Sequence, residues 1–457
     1  MKKNMVVIGA GLVGSLLSIY LAKKGYRVTI FERRGDMRRE EVEAGRSINL
    51  ALSDRGIKAL TEVGIAEDIL SMAIPMHGRA IHQPDGQTAF QPYGKQGQYI
   101  NSISRKVLNE KLMDLAEAQG IKIHFGQRCS GIDWKNNQAS FEDGSGTHAN
   151  ETFDVCFGSD GAYSSARLAH MLQHPRFEYN QSYIDCGYKE LSIPAGKDGS
   201  FLLEKNALHI WPRKDYMLIA LPNLDGSFTG TLFFPFEGEL SFDRLKSEED
   251  VQSFFHTTFP DIVPLIPDLT QQFLHHPVAA LVTVKCFPWI RDDRFCLIGD
   301  AAHAIVPFFG QGMNAGFEDC SVLNALMEQH GTDWQTILSS FQEQRKPDAD
   351  AIADMAVGNF TEMRARTADP KFLLQKKIEA RLHERHPDKW IPAYTQVTFS
   401  PQIRYSEALK NSLRQEAIMQ EIMQTLDHRW DDLYVENLIL SRITNFRDGA
   451  DNADGAA

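Results

Sequence analysis

The chain has no run of 18 consecutive apolar residues, no C-x-x-C pair, no low-complexity linker and no internal repeat. The first absence excludes an obvious membrane-spanning helix. The N-terminus enters a strand without a cleavable signal pattern. Six cysteines, at 129, 156, 186, 286, 296 and 320, are scattered and several sit within apolar runs. They read as reduced core residues of a cytoplasmic protein, so neither a disulfide framework nor a metal site is expected. Positive charge is scarce, with 48 Lys and Arg against 60 Asp and Glu and a net charge of −12. That balance argues against nucleic acid or an anionic membrane as partner. What remains is a globular composition, 43% hydrophobic and 24% charged. At 457 residues the chain is too long for one simple core, and two or three subdomains are expected.

Met5-Val6-Val7-Ile8 reads as a buried strand that runs into Gly9-Ala10-Gly11-Leu12-Val13-Gly14, then a helix, then the strand Val28-Thr29-Ile30-Phe31 closed by Glu32. This is a βαβ unit with G-x-G-x-x-G at its first turn. Gly9 permits the turn, Gly11 lets a pyrophosphate approach the backbone, Gly14 lets helix pack on strand, and Glu32 can accept from ribose hydroxyls. The motif alone does not choose between FAD and a nicotinamide. Arg33 and Arg34 could meet a 2′-phosphate or be solvated surface charge.

Two further apolar runs end on aspartate. Phe153 to Phe157 leads into Gly158-Ser159-Asp160-Gly161-Ala162-Tyr163-Ser164-Ser165-Ala166-Arg167, the pattern D-G-x-x-S-x-x-R. An aspartate N-cap with a glycine turn would be ordinary by itself. Phe295 to Ile298 leads into Gly299-Asp300, a loop with Pro307 and two glycines, and a helical pattern opening near Met313. There a carboxylate can take hydroxyl donors, and bare N–H groups at the helix start can face an anion. Between these motifs, residues 187–234 turn to strand pattern, with Ile219, Leu221, Thr231 and Phe233 on period-two faces that could roof an apolar pocket or simply face a core. After Gly316 the chain reads as almost entirely helical.

Taken together, the three glycine and aspartate motifs resemble the class A flavoprotein aromatic hydroxylases of the para-hydroxybenzoate hydroxylase type. Within that family the chain is similar to the subgroup that hydroxylates L-kynurenine at the 3-position. The stretches carrying this are Gly45 to Leu52, Leu208 to Pro212, Ile219 to Asn223, Gly299 to Asp319 and Val397 to Ser400, within a match over about residues 4 to 408. The resemblance implies an α/β fold: a Rossmann-like FAD-binding domain, an antiparallel β-sheet substrate domain and a C-terminal helical region. The expected divisions are 1–75, 101–185 and 285–330 for FAD binding, 76–100 and 186–284 for the substrate sheet, 331–447 for the helices, and a disordered tail at 448–457.

By the same resemblance the cofactor is FAD, NADPH is co-substrate, and oxygen is activated at the flavin C4a position. Val13, Phe31, Glu32, Arg33, Arg34, Ala51, Arg105, Cys129, Asp300, Met313 and Asn314 match flavin-contacting positions; Gly9, Gly11, Gly14 and Asp160 join them through the motifs above. Arg79 matches the arginine that grips the substrate carboxylate, and Tyr93, Asn359 and Tyr394 match its companions. Alone, Arg79 would read as a surface salt bridge. Phe308, Phe309 and Gln311 match residues shaping the reaction site, with no residue singled out as a catalytic acid or base. The chain departs from eukaryotic relatives at its C-terminus, where residues 409–447 are charged and amphipathic in place of a membrane anchor. The implied partners are L-kynurenine and O₂, and a homodimer is compatible. Competing readings are a hydroxylase of another aromatic acid, a non-catalytic flavin-fold escort protein, and an amine or amino-acid oxidase.

Overall fold

A computed structural model describes residues 2–40, 49–94, 97–365, 370–425 and 435–443. Residues 45–48 of the Arg46 segment and the tail 448–457 lie outside the described residues.

Apolar β-branched runs with no polar alternation can only be buried on both faces, and they form a parallel sheet. Its order is Ile290–Arg291, Phe295–Leu297, Val155–Gly158, Asn4–Ile8, Arg27–Phe31 and Lys122–His124, parallel except for the first pair. The register sets Ile8 beside Gly158 and Gly158 beside Leu297. The carboxyl ends of three neighbouring strands therefore carry Gly9, Asp160 and Asp300 to one edge. Open parallel sheets take their ligands at such an edge.

Alternating segments make the second sheet of seven strands, ordered Ala279–Phe287, Glu178–Ile193, Phe228–Pro235, Tyr216–Pro222, Ala207–Arg213, Gly78–His82 and Thr88–Pro92. All pairs are antiparallel except Ala207–Arg213 with Gly78–His82. Leu218, Ala220, Leu232 and Phe234 point to a core shared with Phe254, Phe255 and Phe273. Their alternates, Ile219, Leu221, Thr231 and Phe233, face a cavity, so the period-two residues roof a pocket.

The structure differs from the sequence reading in two places. Within the stretch read as sheet, Glu248–Thr258 and Leu269–His275 are helices; Ser247 and Asp250 form a reciprocal capping box at the first. Within 101–185, Arg128–Asp133, Gln138–Glu142 and His148–Thr152 form a small antiparallel sheet. Its Phe141 stacks on Phe31 at 3.8 Å between ring centroids.

The helix Gly312–His330 carries Glu318 and Asp319 into a buried ionic chain. The Asp319 carboxylate accepts from Arg345 Nε at 2.7 Å, His303 Nε2 at 2.6 Å and Gly299 N at 3.0 Å. Arg345 also donates to Glu318 at 2.7 Å, and Glu318 pairs with the fully buried Arg55. Arg55 lies 4.0 Å over the Tyr405 ring and donates to the carbonyls of Val397 and Ile403. Burial alone would raise the Asp319 carboxyl, but His303 and Arg345 outweigh it and hold the group below the usual carboxylate range.

Removing one member strands the others as buried charges, so Asp319→Asn is expected to cost about 3–5 kcal/mol of stability in urea unfolding. Because the folded-state pKa is depressed, the stabilisation is present above the unfolded pKa of about 4 and is lost as pH falls through the folded value. The difference between wild type and variant should therefore narrow below about pH 4. A difference independent of pH would show that the ion pairs do not carry the effect.

Candidate active site

The three strand ends open on a cavity of about 2740 Å³ that continues under the second sheet to the C-terminal helices. Gly9 adopts φ +106°, which a side chain would strain, and its carbonyl leaves no room beside Gly14. A Cβ on Gly14 would stand 2.1 Å from Gly9 O and 2.5 Å from Ser159 Oγ. Gly14 thus serves packing and does not line the cavity, whereas Gly11 does, and a Cβ there would meet nothing within 4 Å. The open face of Gly11 is the space a dinucleotide phosphate needs.

Glu32 is buried, accepting from Ala10 N at 2.8 Å and from Arg34 Nε at 2.8 Å. Burial pushes its carboxyl upward, but the Arg34 contacts prevail and hold it below its ordinary value. Arg33, Phe31, Val13, Ala51, Arg105 and Cys129 line the same space. The Cys129 thiol is pushed up to about 12 by burial, so it stays protonated and offers no nucleophile.

The two aspartates differ. Asp160 lines the cavity, yet its carboxylate is consumed by a helix start, accepting from Ser165 N at 2.7 Å, Ala166 N at 3.1 Å and Ser164 Oγ. The cap role that sequence alone left open for it is present. Asp300, after Gly299 at φ +61°, lines the cavity with no hydrogen-bond or ion-pair partner among the described residues. Gly310, in the left-handed region at φ +64°, turns the chain into the helix Gly312–His330. The first N–H groups of that helix have no intrahelical acceptor, and Gly312 and Met313 line the cavity. Asn314 does not: its side chain donates to Ala51 O at 2.8 Å and Gly310 O at 2.9 Å and accepts from Ser53 N at 3.0 Å. It ties the loop to the strand Asn49–Leu52.

Under the second sheet, the Arg79 guanidinium lies 5.1 Å from the Tyr93 ring and 4.5 Å from the Tyr394 ring. Among the described residues it has no carboxylate partner. The Tyr93 hydroxyl is buried without a hydrogen bond of good geometry, and burial lifts its phenol far above its ordinary range. Asn359 donates to Phe308 O at 2.7 Å. Phe308 packs against Phe360 and Phe233 at 4.4 and 5.2 Å, and Phe309 stacks on Tyr394 at 5.9 Å. Gln311 departs from expectation. It is 1% exposed, does not line the cavity, and accepts from the Tyr405 hydroxyl at 2.8 Å, because the αL turn at Gly310 points it into the C-terminal core.

The structure thus brings nineteen of the twenty-two sequence-predicted site residues to one cavity, all but Gly14, Gln311 and Asn314. Sequence reasoning missed the apolar wall from Tyr188, Leu208, Ile210 and Met217. It also missed Arg55, whose only signal was a charge beside the Asn49 to Leu52 strand.

An open glycine turn, an unpaired carboxylate and a bare helix start on one sheet edge fit the binding of FAD and define a flavoprotein site. Residues 2–356 match the family model of the FAD binding domain. The chain is 49% identical over 446 residues to a kynurenine 3-monooxygenase of Christiangramia forsetii, covering 97% of this chain and 99% of the relative. It is 48% identical to one of Myxococcus xanthus, over 99% of this chain and 98% of that one, and 43% identical to one of Dictyostelium discoideum, over 93% and 94%. The chain belongs to the kynurenine 3-monooxygenase family. Among solved structures it superposes on a tetrameric form of 2-methyl-3-hydroxypyridine-5-carboxylic acid oxygenase with a TM-score of 0.66 at 18% identity, covering 81% of this chain and 94% of that one. It also superposes on Klebsiella pneumoniae HpxO complexed with FAD, with a TM-score of 0.66 at 18% identity, covering 88% and 98%. These distant likenesses show the fold.

The glycine geometry separates packing from cofactor contact. Gly14→Ala should cost about 1–3 kcal/mol of stability through overpacking. Gly11→Ala should leave unfolding within about 0.5 kcal/mol of wild type while weakening FAD about tenfold or more, about 1.4 kcal/mol, in a flavin-fluorescence titration. Equal FAD affinity for Gly11→Ala and wild type would show that the cofactor does not approach this turn.

Proposed function

We propose that the protein converts L-kynurenine to 3-hydroxy-L-kynurenine with NADPH and O₂. The observation that carries this reading is the Arg79 guanidinium, largely buried between Tyr93 and Tyr394 and lacking an acidic partner among the described residues. A buried cation without a counter-charge is costly, and an entering carboxylate would supply the missing partner through charge-assisted, bidentate hydrogen bonds.

Bound FAD supplies the hydride acceptor and the centre at which oxygen is activated. Gly9, Gly11 and Glu32 would hold its adenosine diphosphate half, Asp300 its ribityl hydroxyls, and the N–H groups of Gly312 and Met313 the electron-rich edge of its ring. The remaining work falls to the chain's own side chains. Arg79, Tyr93 and Tyr394 fix the amino-acid end of the substrate. Asn359, by holding the Phe308 carbonyl at 2.7 Å, sets the aromatic wall of Phe308, Phe309 and Phe360 against the ring to be hydroxylated. That wall orients the ring and keeps water out. The substrate's own aryl amino group makes the carbon ortho to it nucleophilic, so no side-chain base is called for. A cytoplasmic location is supported by six cysteines that are all free and buried, and no helix of the described residues is long and apolar enough to cross a membrane.

Arg79→Ala should lower kcat/KM for L-kynurenine by about 1.5–3 kcal/mol, the worth of a hydrogen bond to a charged group. Wild-type kcat/KM in the variant would remove Arg79 from substrate binding. The reaction itself is tested by mass spectrometry of the product formed from L-kynurenine, NADPH and FAD in air. Expected is the addition of one oxygen atom. Peroxide without hydroxylated product would instead favour an oxidase or a different aromatic substrate.

A further inference from the structure

A single hydroxyl interrupts the apolar roof of the chamber. On three neighbouring strands of the second sheet, the cavity-lining side chains from Leu208 to Ile210, from Met217 to Leu221 and from Thr231 to Phe233 are hydrocarbon except at Thr231. Thr231 is 2% exposed. Its Oγ1 makes no hydrogen bond among the described residues, yet it is not one of the atoms sealed inside the protein, so it opens on the cavity that the residue lines. Thr229, one same-face step back on the strand, is different. Its hydroxyl accepts from Asn223 Nδ2 at 3.1 Å and donates to Asn49 Oδ1 at 3.3 Å. Valine would give the Thr231 wall the same shape without a polar atom. A ligand that fills the chamber expels the water that answers this oxygen, and leaving the oxygen unanswered costs free energy.

The register locates the hydroxyl relative to Arg79. Ile81 pairs with Ile210, Ile210 with Ile219 and Ile219 with Thr231, one row across the sheet. That row lies one same-face step beyond Arg79, about 7 Å along the strands. Opposed side chains on one face stand roughly 5 Å apart, and Ile219, opposite Thr231, packs against both the cluster of Phe233, Phe308 and Phe309 and the cluster of Tyr93 and Leu221. Thr231 therefore borders the chamber on the side of the aromatic wall, away from the guanidinium.

We propose that Thr231 is a specificity-determining residue whose hydroxyl oxygen accepts a hydrogen bond from the substrate's aryl amino group. Resting on the preceding reading, the ligand is an ortho-amino aryl ketone. One of its aryl N–H bonds is satisfied internally by the ketone oxygen, and the other loses its acceptor when the ring enters an apolar chamber. With the carboxylate at Arg79, the aryl end reaches toward the Thr231 row, where one oxygen is available. An aryl acid without the amino group leaves that oxygen unanswered and is discriminated against. The same contact holds the amino edge of the ring to one side, against a half-turn about the bond between ring and ketone.

The test uses the full-length, FAD-loaded protein in titration calorimetry with L-kynurenine and with 3-benzoyl-L-alanine, which lacks only the aryl amino group. Thr231→Val keeps the shape and removes the hydroxyl; since that hydroxyl has no partner in the protein, the thermal midpoint should not fall. L-Kynurenine should bind this variant about three- to tenfold more weakly, as for the loss of one neutral hydrogen bond. 3-Benzoyl-L-alanine should bind wild type and variant alike. Thr231→Ser, which restores the hydroxyl, should recover most of the L-kynurenine affinity. Should Thr231→Val fail to fold, Thr231→Ala set against Thr231→Ser makes the same comparison. The proposal is overturned if removing the hydroxyl weakens both ligands equally or neither, or if Thr231→Ser binds as poorly as Thr231→Val. Such a result in a wild type that hydroxylates L-kynurenine removes Thr231 alone. The expected pattern in a wild type that adds no oxygen to L-kynurenine leaves the amino-group contact standing and removes the reaction.

Discussion

The site exists because Asp319 is pinned inside the protein. Its carboxylate fixes Gly299 N, His303 and Arg345 at once, so the turn that presents Asp300 and the helix that begins at Gly312 cannot move independently. Through Glu318 and Arg55 the same chain of charges reaches the carbonyls around Val397 and Ile403, locking the C-terminal region against the cofactor-binding sheet. A buried ionic chain is a weak source of net stability compared with packed hydrocarbon. Its value lies in specification: each member has one arrangement in which every charge is answered, and that arrangement builds the cavity.

The two sheets contribute through opposite patterns. Continuous apolar strands give a parallel sheet whose carboxyl edge gathers three loops from distant parts of the chain. Alternating strands give a sheet with one face for a phenylalanine-rich core and the other for the cavity. The seam between them is where Phe308 and Phe309 sit, so a loop leaving the first sheet becomes the wall of the chamber under the second.

Much of this was legible in the sequence. The G-x-G-x-x-G turn with Glu32, and Asp300 at a strand end, are local patterns whose geometry follows from short-range sterics, and they stand where expected. Arg79, Tyr93 and Tyr394 are not readable from spacing, since Arg79 and Tyr93 meet through a strand pair and Tyr394 arrives from a helix start about 300 residues later; only resemblance selects them. The helices Glu248–Thr258 and Leu269–His275 escape the sequence reading because the alternating pattern at 187–234 sets the expectation of sheet for the whole of 186–284. Gln311 sits away from its expected place because a single left-handed residue, Gly310, reverses which side of the loop its neighbours face. Asp160 shows a third limit: the motif is real, but its carboxylate answers to the helix it starts.

The side chain of Asn314 joins the Gly310 loop to the strand Asn49–Leu52, and that loop continues from Phe308 and Phe309. The proposed cofactor edge and the proposed substrate wall are thus two surfaces of one short segment. Thermodynamic linkage then imposes a symmetry: by whatever factor a seated flavin improves the grip on the amino acid, the amino acid must improve retention of the flavin by the same factor.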